Sequence, residues 1–215
     1  MLINAKKSKI IPFNFCKKYD FLPQLSFPNC DPLEVIYVAR LLGVIISSDL
    51  SWQPHVSDIT ARATKTLWVL LRFKDLGATC DQLKAVYVAR IRSILEFAAP
   101  VFSSGLTKDQ SSQIEMIQKK SLAIILGSRY LSYEHALSLL DLERLDKRRE
   151  DLCYKFALCC TQSQKHKHMF PKTIREGPLT RKNRPYVEYQ CTTSRYFNSA
   201  IPYMARLLNQ KCVSQ

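Results

Sequence analysis

Between Arg40 and Phe73 the apolar residues pass from a continuous run to a helical period, and the predicted element changes with them. Leu41 to Ile46 is a short apolar run interrupted by Gly43 and closed by Ser47, Ser48 and Asp49, which predicts a buried strand ending in a turn. Val56, Ile59, Ala63, Leu67 and Leu70 then recur at steps of three and four, the spacing that stacks side chains on one face of a helix. Ser51 is a candidate N-cap, Pro54 suits a first turn where a missing N–H costs nothing, and Gly77 is the stop. Upstream, Val35 to Val38 predicts a partner strand joined through Ala39 and Arg40 into a hairpin. Ile10, Ile11, Phe13 and Phe15 predict an edge strand interrupted by Pro12. Cys16 to Asp31, with Pro23 and Pro28 and no helical period, reads as a connecting loop.

Downstream the period stays helical. Leu83, Val86, Tyr87, Ile91, Ile94 and Leu95 predict a central helix from Asp81, as its cap, to Phe97. Pro100 ends it, and Arg90 must pair or snorkel among apolar neighbours. A third helix follows Thr107 as N-cap and runs to Leu126 before Gly127. It buries Ile114, Ile117, Ser121, Leu122 and Ile125 and points Lys119 and Lys120 away. Ser132 caps a short helix reaching Leu140. Another, from Glu143 to about Cys160, carries Leu145, Arg148, Arg149, Leu152, Phe156 and Cys159 at helical spacing, with Cys159 on its apolar side. Thr161 to Thr193, with its basic string Arg181 to Pro185, reads as a long exposed loop with short strands near Val187 to Tyr189. The expected fold is mainly α with a small β portion (α+β). Residues 1–50 carry strands and a hairpin, 51–160 a helical bundle, and 161–215 a basic loop and C-terminal helix.

Charge adds a partner to this outline. The 215 residues, 47% of them hydrophobic, suffice for a buried core, and 32 Lys and Arg against 18 Asp and Glu give a formal charge of +14. Such an excess favours polyanions through counterion release, so nucleic acid is the first partner to consider and an anionic membrane the second. Arg62, Lys65 and Arg72 fall opposite the apolar stripe of the first helix, on a face that meets either solvent or phosphate. The eight cysteines come without a secretory leader, which predicts reduced thiols in an intracellular protein, nuclear or cytoplasmic and not secreted. No run approaches the roughly 18–20 apolar residues that span a bilayer, so no membrane partner is expected.

Particular strings go further. Leu42-Gly43-Val44, Asp49, Leu50-Ser51-Trp52 and His55, followed by a basic amphipathic helix, resemble the point where the palm of a non-LTR (jockey-type) retrotransposon reverse transcriptase hands over to its thumb. Arg92 to Phe102 is similar to that family's arginine-proline-isoleucine-leucine-glutamate-tyrosine-alanine-x-proline-valine-tryptophan, departing at Ser93, Phe97 and Phe102. Glu115 to Lys120 with Leu126-Gly127, Leu145 with Arg148-Arg149, and the closing stretch to Asn209 follow the family's order. Leu2, Asn4, Lys7, Ser8 and Lys9 match an element found shortly after its catalytic aspartates. The resemblance spans residue 2 to about 209, with a gap over Cys16 to Asp31, and leaves the fingers and both aspartate motifs upstream. It implies a primer-grip-like hairpin at Leu42, Gly43 and Val44, and for Lys7 a part in the departure of pyrophosphate in an intact enzyme. A solvated lysine before an edge strand accounts for Lys7 equally well.

The chemistry of polymerisation needs two metal ions held by carboxylates, and no Asp-Asp pair occurs in this sequence. The chain by itself is therefore expected to be non-catalytic and to need no cofactor, magnesium being required only by an intact polymerase. Cys159, Cys160, His166, His168 and Cys191 are acceptable zinc ligands, but their spacing departs from zinc-binding patterns. Arg148 and Arg149 either hold phosphates or pair locally with Asp146, Glu150 or Asp151, and local pairing is the expectation. Two readings follow. In one, a reverse transcriptase fragment holds the backbone of RNA, DNA or their hybrid through Arg62, Lys65, Arg72, Lys119 and Lys120. In the other, a basic α-helical interaction module, or a decayed fragment, uses exposed apolar surface for self-association or for docking an upstream palm and fingers domain.

Overall fold

The computed structural model describes residues 4, 7–13, 25–26, 32–173 and 184–212. Leu2, Phe15, most of the stretch from Cys16 to Asp31 and the Arg181-Lys182-Asn183 string lie outside the described residues. Helix makes up 63% and strand 9% of the described residues, which are mainly α with a few short strands. It divides into two compact units, Met1–Asp58 and Ile59–Gln215.

In the first unit β1 (Lys9–Ile10) pairs in parallel with β2 (Glu34–Val35), and Lys9 meets Glu34 in an ion pair of 2.9 Å. β3 (Val38–Leu41) and β4 (Val44–Ser47) form an antiparallel hairpin with Leu41 opposite Val44. The connection is therefore the dipeptide Leu42-Gly43, whose φ angles of 48° and 87° are those of a type I′ turn, the one whose twist matches paired strands. This corrects two expectations: Ala39 and Arg40 belong to β3, and Leu41 to Ile46 is broken by the turn. Apolar content misleads here because Leu42 sits at the tip, 89% exposed, while Gly43 supplies the backbone freedom.

The hairpin leads into α1 (Gln53–Asp75) through side-chain caps. Asp49 Oδ1 accepts from the Ser51 N–H at 2.9 Å, and the Ser51 hydroxyl accepts from the Gln53 N–H at 3.2 Å. His55 is fully buried, and its Nδ1 accepts the Ile45 N–H at 3.3 Å, fixing the start of α1 against β4. The Trp52 ring stands edge-on to it at 6.2 Å. Arg40 and Asp58 add an ion pair of 2.8 Å. At its other end α1 closes in a Schellman motif. Gly77, at φ 82°, lets the Ala78 N–H reach the Phe73 carbonyl at 3.0 Å, while its own N–H donates to Lys74 at 2.9 Å.

In the second unit α2 (Cys80–Val86) is capped by Thr79, not Asp81, through a reciprocal box with Gln82. It widens into a π-helical turn over Tyr87–Arg92 and continues as α3 (Ser93–Glu96). Leu83, Tyr87, Ile91 and Leu95 are buried at a strict repeat of four. Such a repeat drifts about 40° per step around an α-helix, and the wider π turn absorbs that drift and keeps the stripe straight. Arg90 is consequently exposed, not trapped among apolar neighbours. The helix stops at Phe97, Ala98 takes φ 56°, and Pro100 lies in the first turn of α4 (Ala99–Phe102), so the proline opens an element instead of ending one.

α5 (Lys108–Leu126) starts at the capping box of Thr107 and Gln110, and its whole expected stripe is buried. α6 (Tyr133–Leu139) is capped by Ser132. α7 (Leu145–Gln162) buries Leu145, Arg149, Cys153, Ala157 and Cys160, whereas Phe156 and Cys159 are exposed. Leu145 and Arg149 lie on the expected stripe, but its later part was misplaced, because the small residues Cys153, Ala157 and Cys160 give a weaker apolar signal than Leu152 and Phe156. After the short α8 (Ser194–Phe197), α9 (Ala200–Cys212) packs Met204, Ala205, Leu207 and Leu208 against Cys153, Ala157, Cys160 and Phe170. The Asn209 side chain accepts from the Tyr186 N–H and donates to the Tyr186 carbonyl, both at 3.0 Å, as a neighbouring strand would. Phe170 is 3% exposed, so the stretch after α7 is partly core and not the fully exposed loop expected.

Candidate nucleic-acid interface

The cations singled out by sequence occupy two helices. On α1 the buried residues Ile59, Ala63, Leu67 and Leu70 define the inner side, and Arg62, Lys65 and Arg72 are all exposed away from it. Arg72 does not extend freely: its guanidinium lies 5.1 Å from the centre of the Trp68 ring, and that ring is itself 60% exposed. Trp68 belongs with the outer face and was missed by the sequence reading. The available signal was its place four residues before Arg72 and off the apolar stripe.

Lys119 and Lys120 are exposed on α5, and Lys119 sits 5.0 Å over the Tyr133 ring of α6. The two sets are on separate helices, linked where the Lys74 ammonium of α1 donates to the Ile124 carbonyl near the C-terminus of α5. A cation is favoured at that negative end of the helix dipole.

Beneath the lysines lies a polar hub that the apolar period could not reveal. Gln118, 1% exposed, accepts from the Tyr87 hydroxyl at 2.5 Å and donates to the Tyr133 hydroxyl at 3.0 Å and the Glu143 carbonyl at 2.9 Å. Tyr133 donates in turn to Glu115, which also accepts from the Leu145 N–H at 3.3 Å. Burial pushes both phenols well above their usual range, and the hydrogen bond to Glu115 adds to the effect at Tyr133, so both remain donors.

The two arginines of α7 part company. Arg148 forms a two-pronged ion pair with Glu96 of α3, at 2.6 and 3.0 Å, and the Arg149 Nη2 donates to the Ser111 hydroxyl at 2.8 Å. Neither makes the expected local pair, since Asp146 is taken by Arg144 and Asp151 by Lys211. The long reach to Glu96 wins because its carboxylate, 12% exposed, offers both oxygens in the geometry a guanidinium fork requires.

In the first unit Lys7 is exposed and its backbone N–H closes a turn onto Asn4 at 3.1 Å. Leu42 and Gly43 form the hairpin tip, and Val44 is buried at the start of β4. Of the cysteines and histidines considered for zinc, Cys160 is buried while Cys159, His166 and His168 are exposed, and no group of three or more such ligands converges among the described residues. No helix of the described residues is long and apolar enough to cross a membrane. Comparison of the chain with protein-family models, with curated proteins and with solved structures found no match.

Proposed function

We propose that this chain is a non-catalytic, nucleic-acid-binding portion of an RNA-directed DNA polymerase of a mobile element, corresponding to the end of a reverse transcriptase palm and its thumb. It would hold the backbone of a template–primer duplex without reading sequence. The supporting observation is the outer side of α1, where exposed Arg62, Lys65 and Arg72 flank an exposed Trp68 with Arg72 stacked upon it. Guanidinium and ammonium groups bind phosphate through charge, and an exposed indole offers a stacking surface for an unpaired base. Lys119 and Lys120 are a second exposed cationic pair, on α5. The sequence has no Asp-Asp pair of the kind that holds the two metal ions of such a polymerase, so the reading is one of binding.

The test is titration of the purified chain with a fluorescent RNA–DNA hybrid over a series of salt concentrations. Each phosphate contact contributes roughly 0.7–0.9 to the slope of log affinity against log salt, so the triple variant Arg62→Glu, Lys65→Glu, Arg72→Glu should lower that slope by roughly 2–3. An affinity indifferent to salt would refute the assignment. A second reading has its own observation: Trp68, Leu71 and Leu76 are 60%, 43% and 84% exposed, an apolar set that suits a protein partner or a second copy. Sedimentation equilibrium separates the two, since self-association raises the mass with concentration in the absence of nucleic acid.

A further inference from the structure

A pocket of about 510 Å³, lined by no residue of α1, opens in the second unit where the N-terminus of α5 and the N-terminus of α7 meet. Lys108 stands on its α5 side and Arg144 and Lys147 on its α7 side, and Arg149 with its partner Ser111 lines it as well. Arg149 is 2% exposed, yet only Nη2 has a hydrogen-bond acceptor; its Nε and Nη1 are buried with none. A buried guanidinium with unanswered donors is costly unless a counter-charge meets it. Two carboxylates, Asp146 and Glu150, also line the pocket, but Asp146 is already engaged by Arg144 at 3.1 Å and by the Lys147 N–H at 2.7 Å. With Arg144 and Asp146 paired to each other, Lys108, Lys147 and Arg149 face one remaining carboxylate, Glu150, at the positive ends of two helix dipoles.

We propose that this pocket is a binding site for a phosphate group, with Arg149 as its buried anchor and Lys108 and Lys147 as its rim. The volume exceeds what a phosphate ion fills and falls within the range of pockets for small organic ligands, roughly 300–1,000 Å³, so the natural ligand carries its phosphate on a larger body. The desolvated state of Arg149, whose guanidinium is pushed by burial toward releasing its proton and only partly held by Glu115 and Asp146, accords with a missing counter-charge. This site is independent of the α1 face and stands or falls without it.

The experiment is a titration of the full chain with inorganic phosphate, detected by phosphorus NMR with chloride matched for ionic strength. Saturable binding is expected, and Lys108→Glu and Lys147→Glu, both exposed and so able to fold, should each weaken it by on the order of tenfold. Lys167→Glu, the same charge change just beyond the other end of α7, should leave it unaltered. Arg149→Met should abolish binding, and circular dichroism shows whether that variant folds; the rim variants decide the matter if it does not. Competition by a 5′-phosphorylated oligonucleotide, but not by its 5′-hydroxyl form, would assign the phosphate to a nucleic-acid end, and competition by neither would leave a phosphorylated small molecule. No saturable binding, or equal weakening by the rim variants and the Lys167→Glu control, overturns the proposal.

Discussion

Replacing Gln118 by methionine tests the polar hub without opening a cavity, since the two side chains have similar length and volume. The substitution removes the acceptor of the Tyr87 hydroxyl and the donors to Tyr133 and the Glu143 carbonyl. Tyr133 keeps its bond to Glu115, so its loss is small. Tyr87 is fully buried and left with an orphaned hydroxyl, costing about 1–3 kcal/mol, while the partly buried Glu143 carbonyl loses about 0.5–1.5 kcal/mol. The sum, about 1.5–4.5 kcal/mol, should appear as a lower urea midpoint with the slope of the transition unchanged. Adding Tyr87→Phe removes the orphan, so the double variant should be more stable than the sum of the single losses predicts, by about 1 kcal/mol or more. Unfolding followed by circular dichroism measures all four corners of the cycle. A Gln118→Met protein within about 0.5 kcal/mol of the parent, or strict additivity with Tyr87→Phe, would refute the view that this hub is a fold determinant.

Three further outcomes are expected. Thiol alkylation at pH 8 mapped by mass spectrometry should label Cys159, which is exposed, well before Cys153, whose thiol burial pushes up to about 11; equal rates at the two would contradict the packing of α7. Glu96→Ala should cost about 1–3 kcal/mol by leaving the half-buried Arg148 without its carboxylate, and the loss should shrink when Arg148 is replaced by methionine as well, the remainder falling on Arg92, which meets Glu96 at 3.9 Å. Stability should fall on both sides of neutrality. Tyr203 is pushed by burial up to about 12, and an unfolded tyrosine ionises near pH 10, so folding free energy declines as pH rises above about 10. The Lys211 ammonium holds the Asp151 carboxyl below its usual range, so the α7–α9 contact weakens as pH falls below about 4; a flat profile across either limb in denaturant titrations would count against these packings.

The helices of this chain were legible because their caps and stripes are local. Thr107, Ser132 and Gly127 mark their termini in the sequence, and Ile114, Ile117, Leu122 and Ile125 repeat at the helical period. What stayed hidden was whatever depends on a distant partner. Glu115, Gln118 and Arg149 are buried polar groups, and nothing in the local period distinguishes them from solvated ones until Tyr87, Tyr133 and Ser111 are brought to them by the fold. The hairpin was misplaced for the opposite reason. Its turn is made by backbone angles at Leu42 and Gly43, while the apolar side chains around it spell a strand. Of the proposed interface, the exposed cations of α1 could be counted from the 100° step, but the stacking of Arg72 on Trp68 could not.

Several polar residues of the strings singled out in the sequence are buried or nearly so, while Lys119 and Lys120 of the same strings are exposed. His55 braces the hairpin, Glu96 receives Arg148, Glu115 and Gln118 form the hub, and Asn209 pairs with the Tyr186 backbone. Their chemistry is used in holding the fold, which separates them from the outward cations Arg62, Lys65, Arg72, Lys119 and Lys120. The separation decides how any loss of binding must be read. An alanine at Glu115 or Gln118 weakens the structure that presents Lys119 and Lys120, so reduced affinity there reports stability as much as contact. Charge reversal at Arg62 or Lys65, on an exposed helix face away from the buried stripe, changes the field met by a polyanion while leaving the core untouched. A phosphate-backbone surface therefore predicts that affinity follows the charge of the exposed set at constant stability and follows stability in the interior set. A protein in which both sets moved affinity only in step with unfolding would have no such surface.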